Sequence, residues 1–280
     1  MIVFLPPVFS ILFLASVIGL VIGSFLNVVI LRGARGEGLG GPPRRGSPWA
    51  RIAHLGGRSR CDHCGAKLRA RELIPVISFL WQKARCRSCG TVLSWQYPLV
   101  EAGTALAFLF LAWRFFPAVA GGFGQAFLFF LAFPAMAALI VLVVSDFKFQ
   151  ILPDGATAIL LLFGIAAGIV RGALLIDTIA ALTFALFFAA LWFFSRGRWM
   201  GFGDAKLILA TALAVGFPAS FAAFLFSFWL GGIVGVVLLS LGKKGLQSRI
   251  PFGPFIIAGT LVAWFFADSF FAFTGLDLLL

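Results

Sequence analysis

The chain has 280 residues, 61% hydrophobic and only 11% charged, with 35 Phe. Soluble domains run nearer a quarter charged and at most half apolar, which excludes a water-soluble globule and makes lipid the solvent for most of this chain. The formal net charge is +12, and its placement along the chain decides what it is for.

The opening run, MIVFLPPVFSILFLASVIGL, lacks the basic segment that begins a cleaved signal peptide. Residues 8–31 are therefore expected to be a retained first transmembrane helix. Residues 32–97 follow with 13 of the 22 Lys+Arg and only three acids. In isolation that density would suggest nucleic acid. Beside so many apolar segments it reads as positive-inside charge on a cytoplasmic loop, so no nucleic-acid partner is expected. The same charge attracts anionic membrane lipid, at about 1 kcal/mol per basic residue near the surface. Within this loop, residues 33–60 are rich in Gly, Pro and Arg and are expected to be irregular.

Residues 61–97 carry all four cysteines, as Cys61-x2-Cys64 and Cys86-x2-Cys89 with 21 residues between the pairs. Two such knuckles bring four thiolates around one ion, the usual arrangement of a structural Zn²⁺. Gly65 and Gly90 follow the knuckles and suit the tight turns that they need. A cytoplasmic setting favours metal over disulfide, and zinc can hold together a lobe too small to build its own core. Four thiolates leave no open position, which argues against a catalytic metal. His63 is an alternative ligand, with solvation as its plainer role.

Seven further apolar stretches lie near 98–113, 122–145, 155–170, 173–194, 204–217, 219–241 and 253–273. The one after Asp204 is short and stops at Pro218. The fold expected is an all-α polytopic membrane protein of about eight transmembrane helices, with a small cytoplasmic zinc-binding lobe between helices 1 and 2. Its divisions are 1–31, 32–97 and a seven-helix membrane domain at 98–280. Threading eight spans places Lys148, Arg196, Arg198, Lys206, Lys243, Lys244 and Arg249 on the cytoplasmic side with the loop, and leaves only Arg114 and Arg171 outside.

The chain has ten acids. Glu37, Asp62 and Glu72 lie in the basic loop, where solvation or local pairing is the default. Glu101 opens the second span and could pair with a loop arginine. Asp177, Asp268 and Asp277 fall near outer helix ends and read as interfacial. Asp146 and Asp154 in SDFKFQILPD and Asp204 in GFGDAKL remain. Asp146 closes the third span and Asp204 opens the sixth, at the same cytoplasmic depth. An ionisable group at the edge of hydrocarbon is costly and marks a functional site. Two carboxylates at one depth can share a proton, one acting as base toward water while the other polarises a carbonyl. The plainer role for these residues is helix capping, which is favoured for Asp154 after Pro153. Asp154 also stands as the alternative partner of Asp204. Gly201 and Gly203 are expected to let the chain turn tightly before Asp204 and to admit a substrate backbone.

Five segments in register resemble the type IV prepilin peptidases, also called leader peptidase/N-methyltransferases. They are GSFLNVVILR (23–32), the paired cysteines around ELIPVISFL with SWQYPLVE (94–101), DFKFQILPD, GFGDAKL and PFGPF (251–255). The resemblance implies an inner-membrane aspartic endopeptidase with Asp146 and Asp204 catalytic, and Gly201, Gly203 and Lys206 supporting them. It implies as substrates the prepilins of type IV pili and the pseudopilins of type II secretion. Their short basic leader, ending in Gly, would be cut at the cytoplasmic face. It further implies N-methylation of the new terminus by S-adenosylmethionine, seated in the cytoplasmic lobe, for which no donor-binding residue is legible. A basic leader would be repelled by the basic lobe unless Glu72 or Glu101 is exposed. Two other readings fit a chain of this composition. A proton-coupled carrier calls for ionisable groups at mid-membrane and repeated halves. A zinc-lobed scaffold has no use for acids at matched depth.

Overall fold

The structure is a computed structural model that describes residues 5–34, 59–61, 63–241 and 251–274. The Gly/Pro/Arg-rich stretch at 35–58 with Glu37, and residues 1–4, Asp62, Lys243, Lys244, Arg249 and Asp277, lie outside the described residues.

All eight apolar stretches are helical. In chain order the helices are α1 (Leu5–Ala34), a short α2 (Ile77–Trp81), α3 (Gln96–Phe115), α4 (Phe123–Phe149), α5 (Asp154–Arg171), α6 (Leu174–Ser195), α7 (Phe202–Val215), α8 (Ala219–Ser240) and α9 (Gly253–Thr274). Seven of them, all but α2 and α7, are long and apolar enough to cross a membrane. The described residues contain no strand, only two isolated β-bridges. The fold is that of an all-α polytopic membrane protein. The expected count of eight spans differs at α7, which has 14 residues. Such a helix rises about 21 Å, against about 30 Å of hydrocarbon.

The chain forms two compact units, Met1–Val141 and Leu142–Leu280, with the boundary inside α4. In the first, α1 packs along α3. Gly19 and Gly23, four apart on α1, make this possible: a Cβ would fall 2.6 Å from Ala105 Cα at the first and 2.7 Å from Glu101 Cα at the second. Small residues at this spacing let membrane helices approach backbone to backbone. Asn27, buried one turn further on, donates to Tyr97 O at 3.2 Å and accepts from Gln96 Nε2 at 3.3 Å.

In the second unit α7 is the central helix, packed against α5, α6, α8 and α9. Ala205, Leu207, Ile208, Ala210, Ala212 and Leu213 are all buried. A helix enclosed by protein need not match the bilayer thickness, because its ends are not required to meet water. A ring cluster of Phe188, Phe224, Phe228 and Phe252, with centroids 5.0–6.1 Å apart, packs α6, α8 and the start of α9 together. Asp177 corrects the interfacial expectation. It is 1% exposed and paired with Arg171 at 2.8 Å, because an unpaired carboxylate among packed helices would be far too costly. Asp268, by contrast, is exposed.

Candidate active site

α4 ends at Phe149, and Gln150 takes a left-handed φ of 53° that breaks the helix. Ile151, Leu152 and Pro153 then run without regular structure to α5, whose first residue is Asp154, so Asp154 opens a helix after Pro153 as expected. Asp146 thus sits in the last turn of α4 and Asp204 in the first turn of α7. Both are buried, at 6% and 7% exposure.

Each carboxylate takes one backbone N–H. Asp146 Oδ2 accepts from Gly253 at 3.0 Å. Gly253 is the first residue of α9, where unpaired N–H groups and the helix dipole favour an anion. Pro254 follows and has no N–H of its own, so Asp146 meets the donor that this helix start leaves free. Asp204 Oδ2 reaches back to the Gly201 N–H at 3.2 Å, an N3 acid capping its own helix. The two carboxylates lie within electrostatic reach of each other.

Leu152 packs against both Gly203 and Gly253. A Cβ at Gly203 would lie 3.1 Å from Leu152 Cδ1, and one at Gly253 would lie 3.4 Å from Leu152 Cδ2 and 2.6 Å from Asp146 Oδ2. The expected reason for the glycines before Asp204 changes accordingly. Neither Gly201 nor Gly203 has a positive φ. Gly203 lies against Leu152, where a side chain would be crowded, and Gly201 supplies an N–H. Lys206 is one turn further along α7. It bonds Asp154 Oδ1 at 2.9 Å with both side chains substantially exposed, and lies 5.4 Å from the centre of the Phe202 ring. Sequence reasoning left Leu152 and Gly253 without roles. Both stand inside the quoted blocks DFKFQILPD and PFGPF, and only contact across the fold separates them from their neighbours.

The cysteine lobe lies in the first unit. The two knuckles share one geometry. Cys61 N bonds Ala66 O at 2.9 Å and Gly65 N bonds Cys61 O at 2.9 Å; Cys86 N bonds Thr91 O and Gly90 N bonds Cys86 O, both at 2.8 Å. A single β-bridge closes each knuckle, Arg60 with Lys67 and Arg85 with Val92. Gly65 and Gly90 both adopt φ +71°, as their places after the knuckles predicted. The ligand sulfurs of Cys61, Cys64, Cys86 and Cys89 all lie within 4.8 Å of one another, and Cys61 Sγ is 3.9 Å from Cys89 Sγ. A tetrahedron with Zn–S bonds of about 2.3 Å has edges of about 3.8 Å, so the four thiols fit a zinc ion. The same spacing is far too long for a disulfide. Thr91, through its hydroxyl and its amide, pulls the Cys89 thiol down to about 6, and the Cys64 and His63 amides lower Cys61. His63 is exposed beside this four-sulfur group.

Glu72 of the lobe and Glu101 of α3 are both engaged. Glu72 Oε1 is 3.2 Å from Arg87 Nε, and Glu72 Oε2 accepts the Arg69 N–H at 2.7 Å. Glu101 is buried, and its carboxylate accepts the Val76 N–H at 2.7 Å. Neither provides the exposed carboxylate that would offset the lobe's charge toward a basic ligand.

Two family descriptions match the chain: "Bacterial Peptidase A24 N-terminal domain" over residues 17–115 and "Type IV leader peptidase family" over residues 133–236. The first range contains the four cysteines, the second Asp146 and Asp204. Among similar curated proteins, the "Prepilin leader peptidase/N-methyltransferase" of Burkholderia pseudomallei (strain 1026b) is 35% identical over 278 residues, covering 93% of this chain and 87% of that one. The protein of the same description from Legionella pneumophila is 35% identical, covering 76% of this chain and 73% of its own. That from Bacillus subtilis (strain 168) is 32% identical, covering 77% and 84%. No solved structure matches.

Proposed function

The chain belongs to the type IV leader peptidase family, and from that premise we propose that it is a bacterial inner-membrane aspartic endopeptidase acting on prepilins and pseudopilins. It cuts after the glycine that ends their short basic leader, at the cytoplasmic face. The observation that carries this reading is the buried pair Asp146 and Asp204, at the ends of separate helices and each held by one backbone N–H.

Such a pair shares one proton. The ionised carboxylate takes a proton from water as the water oxygen attacks the scissile carbonyl carbon, and the protonated one donates to the carbonyl oxygen. Collapse of the tetrahedral diol breaks the C–N bond as the carboxyl that took the water's proton gives it to the leaving amine. The other carboxylate takes back a diol proton, which restores the dyad. Gly201 and Gly253 act through their amides, which hold the two carboxylates in place. Gly203 leaves room for Leu152, and Lys206 pairs with Asp154 at the start of α5.

Residues 1–31 and 98–280 form the membrane portion, with the dyad in the latter, and residues 32–97 form a cytoplasmic lobe that contacts anionic lipid. Cys61, Cys64, Cys86 and Cys89 hold a structural Zn²⁺, which would tie the two knuckles of that lobe together. Methylation of the new N-terminus with S-adenosylmethionine is the second activity proposed, on the strength of the relatives' description. No residue of this chain is assigned to it.

The test is cleavage of a prepilin by detergent-solubilised enzyme, comparing wild type with Asp146→Asn, Asp154→Asn and Asp204→Asn. Loss of cleavage in the Asp146 and Asp204 variants alone, at normal membrane levels, is the expected result. Cleavage at the wild-type rate in all three would remove the aspartic mechanism.

A further inference from the structure

Asp204 stands in the first turn of α7, and the helix ends at Val215. The last carbonyls of any helix lack helical partners, and hydrocarbon supplies no water to replace them. Here Arg171, the last residue of α5, takes that role. Its Nη1 lies 3.1 Å from Ala214 O and its Nη2 2.9 Å from Leu213 O. The same guanidinium donates to Asp177 Oδ2, from Nη2 at 2.8 Å and Nε at 3.2 Å. The other oxygen, Asp177 Oδ1, accepts the N–H of Phe217, just beyond the helix, at 2.8 Å.

The surroundings are built around this clasp. Gly216 lies against the guanidinium, where a Cβ would fall 2.8 Å from Nη2. Gly164 and Gly168, four apart on α5, bring the helices together. A Cβ at Gly164 would meet Leu213 Cβ at 2.8 Å and Ala214 N at 2.9 Å, and one at Gly168 would lie 3.5 Å from Asp177 Oδ2. At its other end α7 meets the start of α5 through Lys206 and Asp154 at 2.9 Å. α7 is therefore tied to one parallel helix at both ends, and at its C-terminal end the tie rests on a buried carboxylate, Asp177, with Arg171 partly exposed. An ion pair with one partner partly exposed contributes little net stability. What this one does supply is a fixed end point for a helix too short to be located by the bilayer.

We propose that Arg171 and Asp177 are positioning residues for the catalytic dyad: their clasp on Leu213, Ala214 and Phe217 sets the axial position of α7 and so the depth of Asp204 relative to Asp146. Asp204 is nine residues from Leu213, about 14 Å of helix, and a helix transmits an axial slip along its length without loss. This inference rests on the aspartic reading of Asp146 and Asp204.

The experiment measures kcat, KM and the pH profile of prepilin cleavage in detergent, per mole of folded enzyme. The variants are Arg171→Lys, Arg171→Met, Asp177→Asn, the double Arg171→Met/Asp177→Leu and, as a control, Asp204→Asn. A slip of about 1 Å lowers kcat about 10- to 100-fold while KM, set by distant contacts, changes less than about threefold. The pH profile moves as well, because the coupling of two carboxylates depends on their separation. Arg171→Lys keeps the charge but has no fork to span two carbonyls, so its loss is smaller. It carries the test if Arg171→Met and Asp177→Asn do not accumulate. The double variant removes both charges, leaves none orphaned, and is expected to accumulate with kcat still low. Wild-type kcat in folded clasp variants overturns the proposal, as does a fall in kcat with an unmoved pH profile. If Asp204→Asn is inactive in that experiment, the dyad reading survives. Cleavage persisting in Asp204→Asn overturns both.

Discussion

Replacing Gly253 with Ala tests the dyad without touching either acid. A Cβ at this position would lie 2.6 Å from Asp146 Oδ2 and 3.2 Å from Asp146 Cγ. Carbon–oxygen contacts run at about 3.4 Å, so the carboxylate must retreat by about 0.8 Å. Its hydrogen bond from the Gly253 N–H, now 3.0 Å, is then stretched or lost, at a cost of about 1.5–3 kcal/mol for a bond to a charged group. That range corresponds to roughly 10- to 150-fold in rate at 1.36 kcal/mol per decade, in line with the roughly 100-fold that a 1 Å misplacement brings. The fold should survive, since Gly253 has no positive φ and begins a helix in which Ala is the better former. The expected result is a kcat about 10- to 100-fold lower in an enzyme that still folds, with a melting temperature lower by only a few degrees. Gly235→Ala, at a position with nothing within 4 Å of the added methyl, should cleave as wild type does. A Gly253→Ala enzyme with kcat within about twofold of wild type would refute the placement of Asp146 in the chemistry.

Three further outcomes are expected. Gly203→Ala crowds Leu152, at 3.1 Å from Cδ1. It should slow cleavage severalfold, and adding Leu152→Ala should restore much of the rate; a double-mutant cycle with coupling below about 0.5 kcal/mol would refute the contact's role. Cys86→Ser removes one of four ligands, so bound zinc measured by plasma mass spectrometry should fall from one per chain to well below one; undiminished zinc would show that these sulfurs are not its ligands. The exposed pair Lys206 and Asp154 should matter little to stability, so Lys206→Met should cost less than about 1 kcal/mol in a denaturation assay. A larger loss would mean that the pair acts as part of a tighter network.

Much of this protein is legible in its sequence alone. Eight apolar stretches appear as helices within a few residues of where they were placed, because burial in lipid is a property of composition that each segment carries by itself. The two cysteine knuckles, with glycines at φ +71° behind them, are equally local: four neighbouring residues decide them. Asp146 and Asp204 could be singled out because acids are so few in this chain. The tertiary structure decided what depends on contact between distant segments. It replaced the turn expected at Gly203 with close packing on Leu152. It turned Gly253 into the donor for Asp146, 107 residues away. It also buried the Asp177 carboxylate, expected at the interface, in a clasp with Arg171. These roles belong to pairs of residues far apart in the chain, and no window of sequence holds both members of a pair whose distance is set by how the helices pack.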